Sequence, residues 1–230
     1  YIADSDWNQY QPFVELELHP FDGLTVTPGF KYIDWSRNID GEPEQKTKPK
    51  IDFQGSSTTT RDLPFVMANY KIEPSWSIYA QYAQGIYVPD ISSYEQATPT
   101  FQYPKAETTT NYQAGTVYYA DNFTFDADVS SIGVDNNITT ANCSTIGGPS
   151  GDTCYFNTGT AFYKGVEAEG TYAFNDDVLG GALNGLAVFL NGSLMSAKSG
   201  GLWLKNAPNW TMAQGLIYKQ GIFKLSLVDK

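Results

Sequence analysis

The sequence predicts an all-β fold, an antiparallel transmembrane β-barrel or a large part of one, on three observations. Several segments alternate apolar and polar side chains with a period of two. The connections between them alternate short and long. Aromatic residues make up 15% of the 230-residue chain, as 16 Tyr, 13 Phe and 5 Trp, a load that suits strands and membrane–water interfaces. No run of 18 consecutive apolar residues occurs, so a membrane-spanning helix is excluded, but a spanning strand needs only ~9–11 residues and alternates instead.

The alternation is clearest in the middle. Phe123, Phe125, Ala127 and Val129 fall on one face of a strand, and Thr124, Asp126, Asp128 and Ser130 on the other, because successive strand side chains point to opposite sides. Val166, Ala168, Gly170 and Tyr172 oppose Glu167, Glu169 and Thr171. Near the start, Val14, Leu16 and Leu18 oppose Phe13, Glu15 and Glu17; near the end, Phe223, Leu225 and Leu227 oppose Lys224 and Ser226. Further strands are predicted over Leu24–Trp35, Leu63–Ile72, Ser77–Val88, Thr108–Ala120, Leu186–Met195 and Met212–Lys219, giving roughly ten of near-spanning length. No helical periodicity with caps competes, and no internal repeat suggests a propeller or solenoid.

The connections carry the orientation. His19–Gly23, Glu73–Trp76, Asp121–Asn122 and Gln220–Gly221 are short. Ser36–Arg61, Pro89–Glu107, Asp135–Thr160 and Ala197–Asn209 are long, and Asn175–Gly185 is intermediate. An antiparallel meander puts alternate connections at opposite ends. Short turns at one end and long loops at the other match an outer-membrane barrel with periplasmic turns and extracellular loops. Residues 1–230 are therefore expected to form a portion of one β-barrel domain. The acids at Asp126, Asp128, Glu167 and Glu169 suit a wide, wet lumen and would be costly in a dry core.

Charge and cysteines narrow the class. With 25 acidic against 14 basic residues the net charge is −11, which argues against a nucleic-acid partner. Cys143 and Cys154 flank a segment of Gly, Ser, Thr and Pro. A local disulfide in an oxidising compartment is the natural reading, with two free thiols as its rival. One His and no further Cys leave no zinc set. The chain begins at Tyr1 without Met or a signal segment, and so reads as a mature or truncated product.

The remaining motifs have bland readings. His19 sits beside Pro20 in a predicted turn, where a catalytic role lacks a partner and a pocket. Glu167 with Glu169, and Asp126 with Asp128, put two carboxylates on one face ~6.5–7 Å apart. That spacing suits glycoside hydrolysis, but lumen-facing acids bonded to a plug or to water are the simpler reading. Asp126, Asp128 and Asp135 lack the glycine a calcium loop needs, since Ser131 stands at its sixth position. The Asn-x-Ser/Thr triplets at Asn122, Asn137, Asn142, Asn191 and Asn209 read as chance matches in a bacterial barrel. No catalytic residue, metal site or cofactor is expected.

Several stretches, in order, resemble the TonB-dependent outer-membrane receptor family. Ser77–Pro89 is similar to its strand ending in a Gly-aromatic-x-Pro loop entry, with Ile86 inserted before the aromatic. Asn111-Tyr112-Gln113-Ala114-Gly115 resembles its N-Y-E-x-G strand start, with Gln113 replacing Glu. Gly165-Val166-Glu167-Ala168-Glu169 resembles its G-V/I-E-x-E strand, and Ala207–Thr211 its x-P-x-x-T entry to a later strand. Thr27–Tyr32 is similar to a G-x-R-Y strand, with Lys31 for Arg. The resemblance spans nearly the whole chain.

The resemblance implies a large, 22-stranded barrel with a plugged lumen, of which this chain holds later-middle strands, without the plug, the energy-coupling box and the last strands. It implies active transport of a scarce nutrient, by default a ferric siderophore. The implied partners are the TonB complex of the inner membrane, reached through the missing N-terminal region, a small-molecule ligand, and outer-membrane lipid. Ligand contacts are expected in the long loops, and Trp35, Tyr94, Phe101, Tyr103, Tyr155, Phe156 and Trp203 are the candidates. These aromatics, with Tyr87, suit either an outer girdle or a ligand vestibule. The rival readings are a passive porin-like or structural barrel and a soluble carbohydrate-binding β-sandwich.

Overall fold

The computed structural model describes residues 2–42, 53–90, 104–146, 153–174, 179–204 and 207–230. They form β1 (Ile2–Tyr10), β2 (Phe13–Glu15), β3 (Leu18–Phe21), β4 (Leu24–Glu42), β5 (Phe53–Glu73), β6 (Trp76–Tyr87), β7 (Glu107–Tyr119), β8 (Phe123–Asp135), β9 (Ile138–Asn142), β10 (Thr153–Asn157), β11 (Thr160–Ala173), β12 (Leu186–Ser199), β13 (Leu202–Trp203), β14 (Trp210–Gln220) and β15 (Phe223–Asp229). One antiparallel sheet runs β1-β4-β5-β6-β7-β8-β11-β12-β14-β15, with β2 and β3 also on β4 and β13 on β12. β1, β2 and β3 pair successively down β4, from Glu42 to Leu24, as one interrupted strand. β9 and β10 form a separate hairpin. The described helical elements are two short 3-10 turns.

The alternation of connection lengths is present in this topology. β3 and β4 are joined by Asp22-Gly23, β5 and β6 by Pro74-Ser75, β14 and β15 by Gly221-Ile222. Gly23 and Gly221 hold φ of 82° and 58°, which glycine adopts without steric cost in a two-residue hairpin. The long connections lie at the other end, and the strands run further into them than the sequence suggests. β4 has 19 residues and β5 has 21, about twice what a membrane-spanning strand needs. Most of the predicted Ser36–Arg61 loop is therefore strand at both ends. Its outer residues Ser36, Asn38 and Asp40 pair with Thr58, Ser56 and Gln54, so the face that is apolar lower down turns polar there.

Paired residues share a face, and the register sorts the sheet into two. One face carries cross-strand rows such as Val129–Val166–Leu194–Trp210 and Phe125–Gly170–Leu190. The other carries Asp128–Glu167–Ser193–Thr211 and Asp126–Glu169–Asn191. The apolar face stays exposed: Val166, Leu190, Leu194, Trp210, Leu216 and Leu225 are all open. Aromatic side chains border it, with Tyr70, Trp76, Tyr118, Tyr172 and Phe223 toward the short turns and Tyr82, Tyr112, Phe162 and Trp203 toward the long connections. Apolar surface between two aromatic borders is the pattern of a lipid-facing wall.

The buried apolar side chains sit on the opposite face. Besides the two cysteines they are, among the described residues, Ile33, Trp35, Ile39, Leu63, Val134, Ala161 and Ala197, and the register puts all seven on the polar face near the long connections. Lower down, that face is kept open by a device the sequence does not show. Phe65 lies over its cross-strand partner Gly29, Tyr79 over Gly115, and Phe189 over Gly215. A Cβ on these glycines would stand 2.0, 2.6 and 2.5 Å from the ring above it, so only glycine lets the ring lie flat against the wall.

Candidate functional site

The long-connection end of the polar face holds a cleft of about 540 Å³, bounded by Gln9, Gln11, Lys31, Trp35, Leu63, Phe65 and Tyr87. β4 brings Lys31, Ile33 and Trp35 into line at i, i+2, i+4, and β5 places Leu63 beside them. Ile33, Trp35 and Leu63 form a buried cluster, with Ile86 and Val88 packed against it. Trp35 is 5% exposed and forms the floor, whereas Tyr87 at the rim is 49% exposed. The Arg37 guanidinium lies 4.8 Å from the Trp35 ring and donates to the Pro89 carbonyl at 3.3 Å. That contact ties the segment after β6 to the top of β4. Such a mixture of rigid aromatic surface with a few polar groups is what small-ligand sites present.

The β9–β10 hairpin stands beside this cleft. Cys143 and Cys154 are disulfide-bonded across its end. Its base is pinned to the segment preceding β7: the Asn157 amide donates to the carbonyls of Lys105 (3.0 Å) and Asn136 (2.6 Å) and accepts from the Lys105 amide at 2.8 Å. The Ile138 amide donates to the Glu107 carboxylate. Tyr155, half-buried on this hairpin, lies within electrostatic reach of Tyr87, as do Asp90 and Glu107.

The predicted aromatics therefore separate. Trp35 belongs to the floor of the cleft, as strand rather than loop, and Tyr155 stands near its rim. Phe156 neighbours Tyr155 on β10, one residue on. Trp203 lies on the apolar face, paired with Lys198, so it is not gathered with the others. Tyr94, Phe101 and Tyr103 lie outside the described residues. Lys31, Gln9 and Gln11 were not singled out in the sequence. The glutamines lie in a stretch where aromatic and polar residues fall on both sides, so no alternation marks them.

A second polar site lies lower on the same face. Asp126 is directly opposite Glu169 and Asp128 opposite Glu167, and all four line a hollow of about 200 Å³ with Asn191, Ser193 and Thr211. Like charges directly opposite repel, yet none of the four makes a salt bridge among the described residues. Gln113, where the resemblance expects Glu, accepts instead from its cross-strand partner Gln81, a neutral pair. Among the described residues, neither these four carboxylates nor any other group of three or more His, Cys, Asp or Glu side chains is arranged so that it could hold a metal ion. His19 lies 3.0 Å from the Glu17 carboxylate and 3.2 Å from the Thr25 hydroxyl; it stands on β3 rather than in the predicted turn, which is only Asp22-Gly23.

A family model described as TonB dependent receptor-like, beta-barrel, matches residues 2–226. Among solved structures, the chain is similar to "Copper transporter OprC" (18% identity, TM-score 0.76, covering 98% of this chain and 34% of that one). It is also similar to the unliganded ferric citrate transporter FecA (16%, 0.75, covering 98% and 32%). A third is the ferric yersiniabactin uptake receptor FyuA from Yersinia pestis (19%, 0.69, covering 94% and 32%). At these identities the likeness is one of fold, and the chain spans about a third of the length of each. No curated protein sequence matches.

Proposed function

Because this chain belongs to the TonB-dependent receptor β-barrel family of the Gram-negative outer membrane, we propose that it serves active uptake of a scarce nutrient, a ferric siderophore, energised through the TonB complex of the inner membrane. The observation that supports this most is the cleft bounded by Lys31, Trp35 and Tyr87 at the long-connection end. In the proposed orientation that end is extracellular, and residues 1–230 are a portion of one barrel domain. A cargo arriving from outside meets Tyr87 and Tyr155 at the rim, then the Trp35 floor. The four carboxylates below offer acceptors to a plug lodged in the lumen. The net charge of −11 disfavours a bare anion, while a chelate that wraps its metal in an organic shell suits both the aromatic surface and Lys31. Two of the similar solved proteins are described by iron-chelate uptake and one by copper transport, so metal cargo is common to the three.

The test is uptake of labelled ferric siderophores by iron-starved cells with and without the intact gene, in backgrounds with and without TonB. Loss of uptake for one siderophore class, equally severe without TonB, is the expected result. Uptake that persists without TonB would favour a passive porin, and unchanged uptake across the panel would reject iron as the cargo. Tyr87→Ala is expected to weaken binding about tenfold, the scale of an aromatic contact residue, without changing the amount of folded protein.

A further inference from the structure

The apolar face changes character at one place near its upper border. Phe162 and Lys164 on β11 share this face with Ser196 and Lys198 on β12, and Trp203 on β13 pairs with Lys198. Directly below lie Val166, Leu194 and Trp210, all exposed. Lys164 and Lys198 are diagonal neighbours on adjacent strands, ~7–8 Å apart at the backbone, close enough for two flexible ammonium groups to converge on one anion. The Lys198 ammonium lies 4.7 Å from the Trp203 ring centroid, which fixes one of them. The Phe162 ring closes the other side, over Gly133, where an added Cβ would stand 3.5 Å from it.

No acidic side chain neutralises the charge here. The residues opposite and diagonal to Lys164 on this face are Val129, Ser131, Gly133, Leu194, Ser196 and Lys198, none of them acidic. Among the described residues, neither lysine forms a salt bridge. Two neighbouring cations without acids stand out in a chain that carries only 14 basic residues against 25 acidic ones. They sit where exposed apolar wall gives way to polar strand, the depth at which lipid headgroups meet a membrane protein.

The geometry points to a lipid-headgroup site, in which Lys164 and Lys198 clamp a phosphate of an outer-leaflet lipid while Val166, Leu194 and Trp210 lie against its acyl chains. The serines Ser131 and Ser196 add hydroxyl donors within the same patch. The site rests on the proposed orientation, with the long connections outside. Its function is to seat the barrel wall in the phosphate layer of the outer leaflet at one fixed height and rotation.

The test titrates the purified full-length protein in neutral detergent micelles with diphosphoryl lipid A. Each lysine near an anionic headgroup is worth about a factor of five, so K164A/K198A is expected to bind about twenty-five-fold more weakly than the parent. K224A, a charge loss on the other face, is expected to bind as the parent does, and the fully dephosphorylated lipid to bind the parent as weakly as the double variant. Equal binding by parent and double variant would overturn the site, as would equal binding of the dephosphorylated lipid. Full displacement by inorganic phosphate would reduce it to a simple anion site and overturn the lipid assignment. If K164A/K198A fails to fold, K164M/K198M keeps the side-chain stems and is read against the same threshold. Orientation is checked separately by labelling W203C on whole cells with an impermeant maleimide. Labelling with no lipid preference sinks this site alone, whereas absence of labelling on the cell surface sinks the orientation itself.

Discussion

The two faces of β12 and its neighbours are built from the same backbone and obey opposite rules. On one, Leu190 is 53% exposed in a field of Val166, Leu194 and Trp210. On the other, Asn191 lies beside Glu167 and Glu169. In a water-soluble sandwich the apolar face would be the hidden one. Here the buried apolar side chains among the described residues lie along one end of the polar face, three of them clustered as Ile33, Trp35 and Leu63, and the broad apolar face is left open. This chain thus places its buried packing at the end of the long connections and leaves the remainder of its apolar surface to the lipid.

The largest effect expected from breaking that division is an arginine on either side of one peptide bond. Leu190→Arg, near the middle of the apolar face, is expected to cost about 2–4 kcal/mol of folding stability in a bilayer. Asn191→Arg, facing four carboxylates, is expected to stay within about 0.5 kcal/mol. Folding titrations in urea with lipid vesicles measure both, and equal costs would mean that the faces are not lipid and lumen.

Next in size is the disulfide. Closing an eleven-residue separation is worth about 3 kcal/mol to the segment it joins on the chain-entropy model. Because the hairpin is a separate two-stranded sheet, C143S/C154S is expected to speed proteolysis between β9 and β10 while leaving the main sheet's unfolding midpoint unchanged. A matching fall in global stability would show that the hairpin is structurally part of the wall.

Smaller again is a comparison of two glycines. Gly115→Val drives side-chain atoms into the Tyr79 ring and the Ala127 carbonyl, already 2.6 and 2.7 Å from an added Cβ, and is expected to cost about 1–3 kcal/mol. Gly133→Ala on the apolar face meets nothing nearer than 3.5 Å and is expected to be near neutral. Thermal unfolding followed by gel mobility of the folded form separates them.

Alternation made the membrane-level parts of the strands legible, because there the two environments differ most: Phe123–Ser130 and Val166–Tyr172 are readable without any neighbour. The signal fails above the membrane. Ser36, Asn38 and Asp40 face water rather than lipid, so β4 loses its pattern although it continues to Glu42. β1 alternates no better, with Trp7 on one face and Tyr10 on the other among Asp, Ser and Asn, and only its pairing with β4 shows that it is a strand. The site is less legible still. Trp35 and Tyr155 stand out as aromatics, but Gln9 joins the cleft through a β1–β4 register that no local pattern encodes. The flattening of Phe65, Tyr79 and Phe189 over glycine depends on cross-strand pairing in the same way. Trp203 shows the converse: its residue type suited a ligand vestibule, and its pairing with Lys198 turns it to the other face.

The sheet separates lipid from lumen residue by residue. Nitroxide labels placed singly at Phe125, Asp126, Leu190 and Asn191 in the bilayer-reconstituted protein test it most directly, by their relaxation in oxygen, which partitions into lipid, and in a water-soluble nickel chelate. Labels at Phe125 and Leu190 are expected to respond to oxygen and those at Asp126 and Asn191 to nickel, switching with each step along the strand. Equal response of neighbouring positions to both agents, or oxygen dominating at Asp126 and Asn191, would contradict it.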